Sequence, residues 1–171
     1  MKKIPLTQGQ FALVDDEDFE WLDQFKWQAS WALGILSYVV RRSVYVDDTK
    51  RRKTTYMSRT ILGLDFGDKL VVDHKNHNTL DNQRHNLRIC NHRENVHNHR
   101  KYQRDTASSE YHGVVWHKAA NKWKSQIKQD SETIYLGLFV LEADAAKAYD
   151  RKALELRGEF TSLNFPKKVG V

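Results

Sequence analysis

The segment VVDHKNHNTLDNQRHNLRICNHRENVHNHR, residues 71–100, decides the fold at the centre of this chain. Residues 71–72 and 86–89 predict two short strands, and residues 91–101 predict a helix. The intervening residues 75–85 are rich in Asn and His, which is typical of a polar loop. The sequence therefore predicts a β-hairpin followed by a helix.

The same segment contains the residue types needed to hydrolyse a phosphodiester, a reaction that requires a cation, a base to activate water and a rigid frame. Asp73 offers an anionic oxygen and Asn95 a neutral one, and Mg²⁺ or Mn²⁺ prefers such ligands. His74 suits a general base, because its unperturbed pKa lies near neutrality. Since side chains alternate along a strand, Asp73 and His74 can serve one site only where the backbone leaves the pleat. The pattern predicts a metal-dependent nuclease site.

Each residue of this set also has a purely structural interpretation. An Asp-His dipeptide occurs by chance in many proteins. Asparagines form turns and cap helices by bonding nearby backbone groups. The joint order and spacing of the set favour the catalytic interpretation.

The charge of the chain favours a polyanionic partner. The formal net charge is +6 and the isoelectric point is about 9.4. Residues 31–60 contain seven Lys and Arg against two Asp. Solvated loop tips are the alternative interpretation of such runs. We expect DNA contacts at Arg41, Arg42, Arg51 and Arg52.

No apolar run approaches the 18 or so residues of a membrane span. A protein without membrane contact is expected, in the cytoplasm of a bacterial or phage-infected cell.

Cys90 is the only cysteine, so the chain has no disulfide or Cys-x-x-Cys zinc pair. A zinc site built from His92, His97 and His99 is improbable, because these residues lie on different faces of the predicted helix.

The first 64 residues predict a small β-rich module. Strands are expected at residues 11–14 and 37–46, with an acidic turn at residues 15–18. Trp21, Phe25 and Trp27 have spacings that suit one face of a short helix, where core packing is favoured over base stacking. Residues 53–64 predict either a strand or a strand that passes into a helix.

A second module follows a polar joint at residues 104–109. Residues 111–116, 122–128 and 133–139 predict three strands, and residues 141–157 predict one helix that Gly158 ends. Lys122, Lys124, Gln126 and Lys128 alternate onto one strand face, opposite Trp123, Ser125 and Ile127. This pattern predicts a sheet with one face on the helix and the other open to a ligand, with a solvated charged face as the alternative.

The central segment resembles the HNH homing endonucleases of phages and self-splicing introns, through Asp73-His74-Lys75-Asn76, Leu80-Asp81-Asn82, Asn86-Leu87-Arg88 and Asn95-Val96-His97-Asn98. The resemblance implies a ββα-metal core in which Asp73 and Asn95 bind one divalent ion and His74 activates water. It also implies that Asn86 braces the loop and orients His74, and that Arg88 steadies a phosphate. Residues 4–7, 12–15 and 57–59 extend the resemblance, although Ser58 stands where a histidine is usual.

The second module resembles the AP2 DNA-binding domain. The resemblance rests on Tyr111-His112-Gly113-Val114, Lys122-Trp123, residues 135–139, residues 145–150 and residues 156–166. It implies a three-stranded sheet laid in the major groove. Expected contact residues are His112, His117, Lys118, Lys122, Lys124, Gln126, Lys128, Thr133 and Tyr135. Several arginines of plant members are replaced here, so their recognition sequence does not transfer.

Together these observations predict an α+β protein with four segments: a β-rich module (1–64), an HNH core (65–103), a linker (104–109) and an AP2-like domain (110–168), whose three-stranded antiparallel sheet packs on one helix. The expected function is that of a monomeric, Mg²⁺- or Mn²⁺-dependent endonuclease of the homing type, phage- or intron-encoded, cutting double-stranded DNA at a long site. The alternative is a DNA-binding regulator with an inactive nuclease core.

Overall fold

The computed structural model describes residues 1–45, 51–98 and 107–166. The chain forms two compact units, Met1–Val96 and His97–Val171, of mixed α and β structure with several small sheets and few helices. None of the helices in the described ranges is long and apolar enough to cross a membrane.

The first unit begins with a two-stranded antiparallel sheet, β1 (Lys2–Pro5) against β2 (Phe11–Val14), followed by helix α1 (Asp16–Leu22). The predicted acidic turn at residues 15–18 is wrong, because Asp16, Glu17 and Asp18 form the first turn of α1, where the helix dipole favours acidic residues. The prediction that Phe25 and Trp27 share one helix face with Trp21 is also wrong, because α1 ends at Leu22, before Phe25 and Trp27. The Trp27 indole Nε1 donates instead to the Leu22 carbonyl, 2.9 Å away. The indole thus supplies a hydrogen-bond donor to a carbonyl at the helix end, where the helix itself offers none.

A three-stranded antiparallel sheet follows, in the order β3 (Gln28–Ala32), β4 (Ser37–Tyr45) and β5 (Arg52–Tyr56). Helix α2 (Met57–Ile61) continues directly from β5 and confirms the predicted strand-to-helix passage. The predicted end of the second strand at Val46 lies outside the described residues.

The hairpin and helix predicted at the centre of the chain are present. β6 (Val71–His74) pairs antiparallel with β7 (Leu87–Cys90), and α3 (His92–His97) follows. A short 3₁₀ turn, Arg84–Asn86, precedes β7, so this strand begins one residue later than predicted. The predicted helix end at Lys101 lies outside the described residues.

One apolar core serves the whole first unit. Its buried members come from both the predicted β-rich module and the central hairpin, which the sequence places in a separate segment. They are Ile4, Ala12, Val14, Leu22, Trp27, Val40, Met57, Ile61 and Leu87. Packing therefore joins the two predicted segments, and the domain limits drawn from sequence stay a prediction.

The second unit is a three-stranded antiparallel sheet, β8 (Val114–His117), β9 (Lys122–Gln129) and β10 (Glu132–Phe139), with β9 in the middle. Helix α4 (Glu142–Arg157) packs on the sheet through its alanines and Tyr149. Gly158 ends the helix with a φ of +56° and a ψ of −134°, a positive-φ conformation that glycine adopts readily but that differs from the left-handed helical one.

A β-bulge interrupts β10, which the sequence pattern does not reveal. The register shifts between Tyr135, opposite Gln126, and Gly137, opposite Ser125. The extra residue reverses the alternation, so that Leu138 is exposed while Phe139 packs against the helix. Without the bulge, strict alternation would place Leu138 against the helix and expose Phe139.

Gly113 lies where the sheet and helix approach most closely. A Cβ added there would lie 2.1 Å from Tyr149 Cδ2 and 2.4 Å from the Gln126 carbonyl oxygen, at a φ of +69°. We expect Gly113→Ala to lower the free energy of unfolding of the second unit by about 2–4 kcal/mol, measured by urea denaturation. Gly158→Ala is the matched control, because Gly158 lies in the same unit at a φ of +56° with nothing within 4 Å. Equal losses in the two variants would contradict a steric role for Gly113.

Candidate functional site

Asp73 and His74 are the last two residues of β6. The chain turns immediately afterwards, with the His77 amide donating to the His74 carbonyl at 2.9 Å. The backbone leaves the pleat only after His74, so the departure expected between Asp73 and His74 does not occur, although Asp73 is near enough for its charge to oppose the lowering of the His74 pKa. Within the strand the two side chains have different partners.

Asp73 is buried, 6% exposed, and forms an ion pair with Arg88, its cross-strand neighbour. Arg88 donates to Asp73 Oδ2 from Nε at 2.7 Å and from Nη2 at 2.6 Å. Two charge-assisted bonds to one oxygen fix the carboxylate and offset the cost of burying its charge. The predicted phosphate-binding side chain Arg88 is therefore itself almost buried and committed to Asp73.

His74 contacts Asn82, and the predicted role of Asn86 in orienting the imidazole stays a prediction. The His74 Nε2 lies 3.4 Å from Asn82 Oδ1, and Asn82 Nδ2 donates to the Thr79 carbonyl at 3.4 Å. Burial lowers the pKa of His74, against the opposing effects of Asn82 and nearby carboxylates. A neutral imidazole can accept a proton, as a general base must. Asn82 belongs to the Leu80-Asp81-Asn82 motif, whose residue types and spacing do not by themselves indicate a contact with His74.

The Asn86 side chain forms hydrogen bonds with two backbone groups of the loop of residues 75–85. Its Nδ2 donates to the Asp81 carbonyl at 2.7 Å, and its Oδ1 accepts from the Asn76 amide at 3.0 Å. Asn76 Nδ2 in turn donates to Asp81 Oδ2 at 2.8 Å. The buried polar groups of the loop thus satisfy one another.

The loop is also attached to the N-terminal elements. Leu13 of β2 accepts from the Asn82 amide and donates to the Leu80 carbonyl, both at 2.8 Å. Arg84 forms an ion pair with the buried Asp18 of α1, with 2.7 Å between Nη2 and Oδ1. The first sixty residues therefore help to position the residues around His74.

Asn95 lies on α3, directly after β7, and is partly exposed. A carboxylate and an amide oxygen fit the ligand preference of Mg²⁺ or Mn²⁺, although Arg88 already bonds one oxygen of Asp73. Across residues 1–45, 51–98 and 107–166, no group of three or more His, Cys, Asp or Glu side chains is arranged to hold a metal. The donor set therefore suits a hard ion completed by water and phosphate, and not an all-protein zinc site. His99 of the zinc alternative lies outside the described residues.

The arginines of β4 and β5 do not form one basic stripe. Consecutive residues Arg41 and Arg42 face opposite sides of the sheet. The Arg42 guanidinium packs over Phe25, 3.6 Å from the ring centroid, and burial lowers its pKa. Arg52 donates to the Tyr45 hydroxyl at 2.6 Å from Nη2 and 3.0 Å from Nε. Arg41 and Arg52 share the open face of the sheet, whereas Arg42 lies on the core side; Arg51 is exposed outside the strand.

The open face of the second sheet has the predicted composition. Ser125 and Ile127 are buried towards α4, which confirms the predicted alternation along β9. Lys122 pairs with His117, and Gln126 with the exposed Tyr135. Further members of this face are Lys124, Lys128 and Thr133, with Lys118 in the adjoining turn.

Two histidines of the second unit have structural partners. The His112 ring stacks on Tyr149 of α4, with 6.0 Å between centroids, so it packs on the helix side instead of the open face. His117 Nδ1 accepts from the Ala120 amide at 3.1 Å and caps a 3₁₀ turn. The predicted contact through His112 is therefore at odds with its position.

Residues 57–97 match the family model described as HNH endonuclease. A protein of Acanthamoeba polyphaga mimivirus, described as the uncharacterized HNH endonuclease L560, is 27% identical over 157 residues, covering 92% of this chain and 76% of that protein.

A second set of relatives, from plants, matches about a third of the chain. APETALA2-like protein 2 of Oryza sativa subsp. indica is 40% identical over 58 residues, which are 34% of this chain and 13% of the rice protein. Ethylene-responsive transcription factor ERF024 of Arabidopsis thaliana is 44% identical over 61 residues, 34% of this chain and 33% of that protein. The chain thus spans only a small part of these plant relatives.

Cys90 at the end of β7 reports on the packing of the hairpin. Burial raises the pKa of its thiol to about 11. Near pH 8 the thiolate fraction in the folded protein is then on the order of a thousandth, against about a quarter for an unperturbed thiol. We expect Ellman's reagent to modify Cys90 slowly in the native protein and rapidly in urea. Equal rates in both conditions would contradict the packed hairpin.

Proposed function

We propose that the protein is a metal-dependent DNA endonuclease of the HNH homing type. The observation that carries the proposal is the position of His74, held by Asn82 at the end of β6 beside Asp73, inside the segment that matches the HNH family. Burial disfavours the charged imidazole, which leaves His74 able to take a proton from water.

Asp73 and Asn95 would hold the divalent ion, Mg²⁺ or Mn²⁺. A bound ion of this kind stabilises the charge on the phosphoryl group and on the leaving oxygen. His74 would remove the proton from an in-line water, which favours a 5′-phosphate and a 3′-hydroxyl. Asn82 orients the imidazole, and Asn86 keeps the loop closed around it. Arg88 fixes the carboxylate of Asp73, and would contact a phosphate only by giving up that ion pair.

The open face of the second sheet would bind double-stranded DNA and bring the nuclease to a long site. The AP2-type relatives are named as transcription factors or as APETALA2-like, which supports a DNA-reading role for residues 110–168. Gln126 would read base edges, while the lysines would contact phosphates and set the register. Arg41 and Arg52 would add phosphate contacts from the first unit. The proposal also includes a monomer acting where DNA is accessible, in a bacterial or phage-infected cytoplasm.

One observation favours a second candidate, a DNA-binding regulator with an inactive nuclease core. The ion pair between Arg88 and Asp73 competes with a metal for the carboxylate. If this pair persists on DNA, binding continues and cleavage does not.

A plasmid assay separates the two candidates. We expect the protein to nick or linearise supercoiled plasmid with Mg²⁺ or Mn²⁺, and His74→Ala to lose about 10²–10⁴-fold in rate while still binding DNA. His85→Ala is the matched control, because His85 is an exposed histidine of the same loop. Binding without cleavage by any of the three proteins would favour the regulator.

The DNA-binding face of the second sheet is tested by Lys124→Ala. We expect weaker binding, with the slope of log affinity against log salt reduced by about 1, because one phosphate contact and its released counterion are lost. Lys147→Ala is the control, since Lys147 is an exposed lysine of α4, paired with Asp144. An affinity unchanged by Lys124→Ala would remove this strand face from the interface.

A further inference from the structure

The turn that joins β3 to β4 is apolar and exposed. Its four residues are Leu-Gly-Ile-Leu, in a chain whose mean hydropathy is −0.72. Leu33 is 79% exposed, Ile35 41% and Leu36 51%. These side chains contribute nothing to the core of the first unit, so their apolar surface is available to a partner.

The turn is a defined structure. The Ile35 amide donates to the Ala32 carbonyl at 3.2 Å, and Leu36 has a φ of +48°. Next to the turn, Trp31 of β3 and Tyr38 of β4 pack edge to face across the two strands, with 5.1 Å between ring centroids. A non-glycine residue at positive φ, supported by an aromatic pair, indicates a turn held in one conformation.

The base of this hairpin is bonded to the loop around His74. Thr79 shares a hydrogen bond with Ser37, with 2.9 Å between the hydroxyl oxygens, and also donates to the Tyr38 carbonyl. The Thr79 carbonyl accepts from Asn82, which contacts His74. Ser37, Thr79 and Asn82 therefore form a chain of hydrogen bonds between the base of the turn and the imidazole.

The charge of the hairpin indicates which partner approaches. Residues 27–45 contain no acidic residue and two arginines, Arg41 and Arg42, of which Arg42 packs over Phe25 on the core side of the sheet. Arg41 lies on the open face of the same sheet, on β4 itself. An apolar tip on a basic support, bonded to a phosphodiesterase site, fits duplex DNA better than an acidic or neutral partner. Apolar side chains that meet DNA insert between base pairs, where they unstack one step and kink the duplex.

We propose that Leu33, Ile35 and Leu36 form a wedge that enters the DNA between two base pairs beside the bond to be cut. The inference rests on the proposed function, because it takes DNA to be the substrate. The wedge opens and bends the duplex, which presents a phosphate to the loop of residues 75–85. Pyrimidine–purine steps unstack most readily and are its preferred sites.

Unstacking by a wedge untwists DNA, so plasmid topology provides the test. Closed-circular plasmid is incubated with the protein and a metal-independent topoisomerase in EDTA, stripped of protein, and resolved as topoisomers. We expect the wild-type protein to shift the ladder in proportion to protein bound, and His74→Ala to shift it equally. Both results are independent of cleavage, so a failure of nuclease activity in Mg²⁺ is seen separately from a failure of the wedge.

The variant Leu33→Ser with Ile35→Ser is expected to bind plasmid in a gel shift and to lose the topoisomer shift. Two controls accompany it. Leu33→Met with Ile35→Met keeps the wedge apolar and keeps the shift, and Leu154→Ser makes the same chemical change at an exposed leucine of α4. An unshifted ladder with bound wild-type protein overturns the proposal, as does a full shift by the serine variant. If the ladder is unshifted and the serine change abolishes self-association or vesicle binding, the turn has a protein or lipid partner instead.

Discussion

The closure of the loop at residues 75–85 is the constraint on which the site depends. Asp81, Asn82 and Asn86 are buried, and a buried polar group without a hydrogen bond costs about 1–3 kcal/mol. Each therefore has to bond within the loop or to β2, and these bonds leave the loop one arrangement. Asn82 contacts His74 at the start of this loop. The orientation of the imidazole therefore depends on the hydrogen bonds that the buried asparagines form.

A similar constraint governs the arginines. Arg88 offsets the buried charge of Asp73, and Arg42 packs its guanidinium on the Phe25 ring. Arg84 neutralises Asp18 in the same way. The net positive charge of the sequence therefore overstates the cations available to a polyanion, because several are committed within the first unit. Arg41, Arg52 and the lysines of β9 lie on the open faces of the two three-stranded sheets.

Much of the fold follows from local pattern. The central hairpin and helix, the strand-to-helix passage into α2 and the sheet with α4 are formed by residues close in sequence, where periodicity and turn residues suffice. The predictions failed where distant residues decide the outcome. Trp27 leaves the expected helix because its indole completes the end of α1, and β10 shifts register because both Leu138 and Phe139 have to be accommodated. The predicted separation of residues 1–64 from the hairpin does not extend to the packing, because the two share a core.

The sequence by itself determined the chemical content of the site and the period of each element: an Asp-His pair before an asparagine-rich loop, a helix carrying Asn95, and lysines alternating along β9. Only the tertiary structure decided that Asn82 contacts His74, that Arg88 is bound to Asp73, and that His112 packs on the helix side. The physical reason is that residue type and spacing fix which groups can bond and which face they share. Burial and competition among distant partners fix which bonds form.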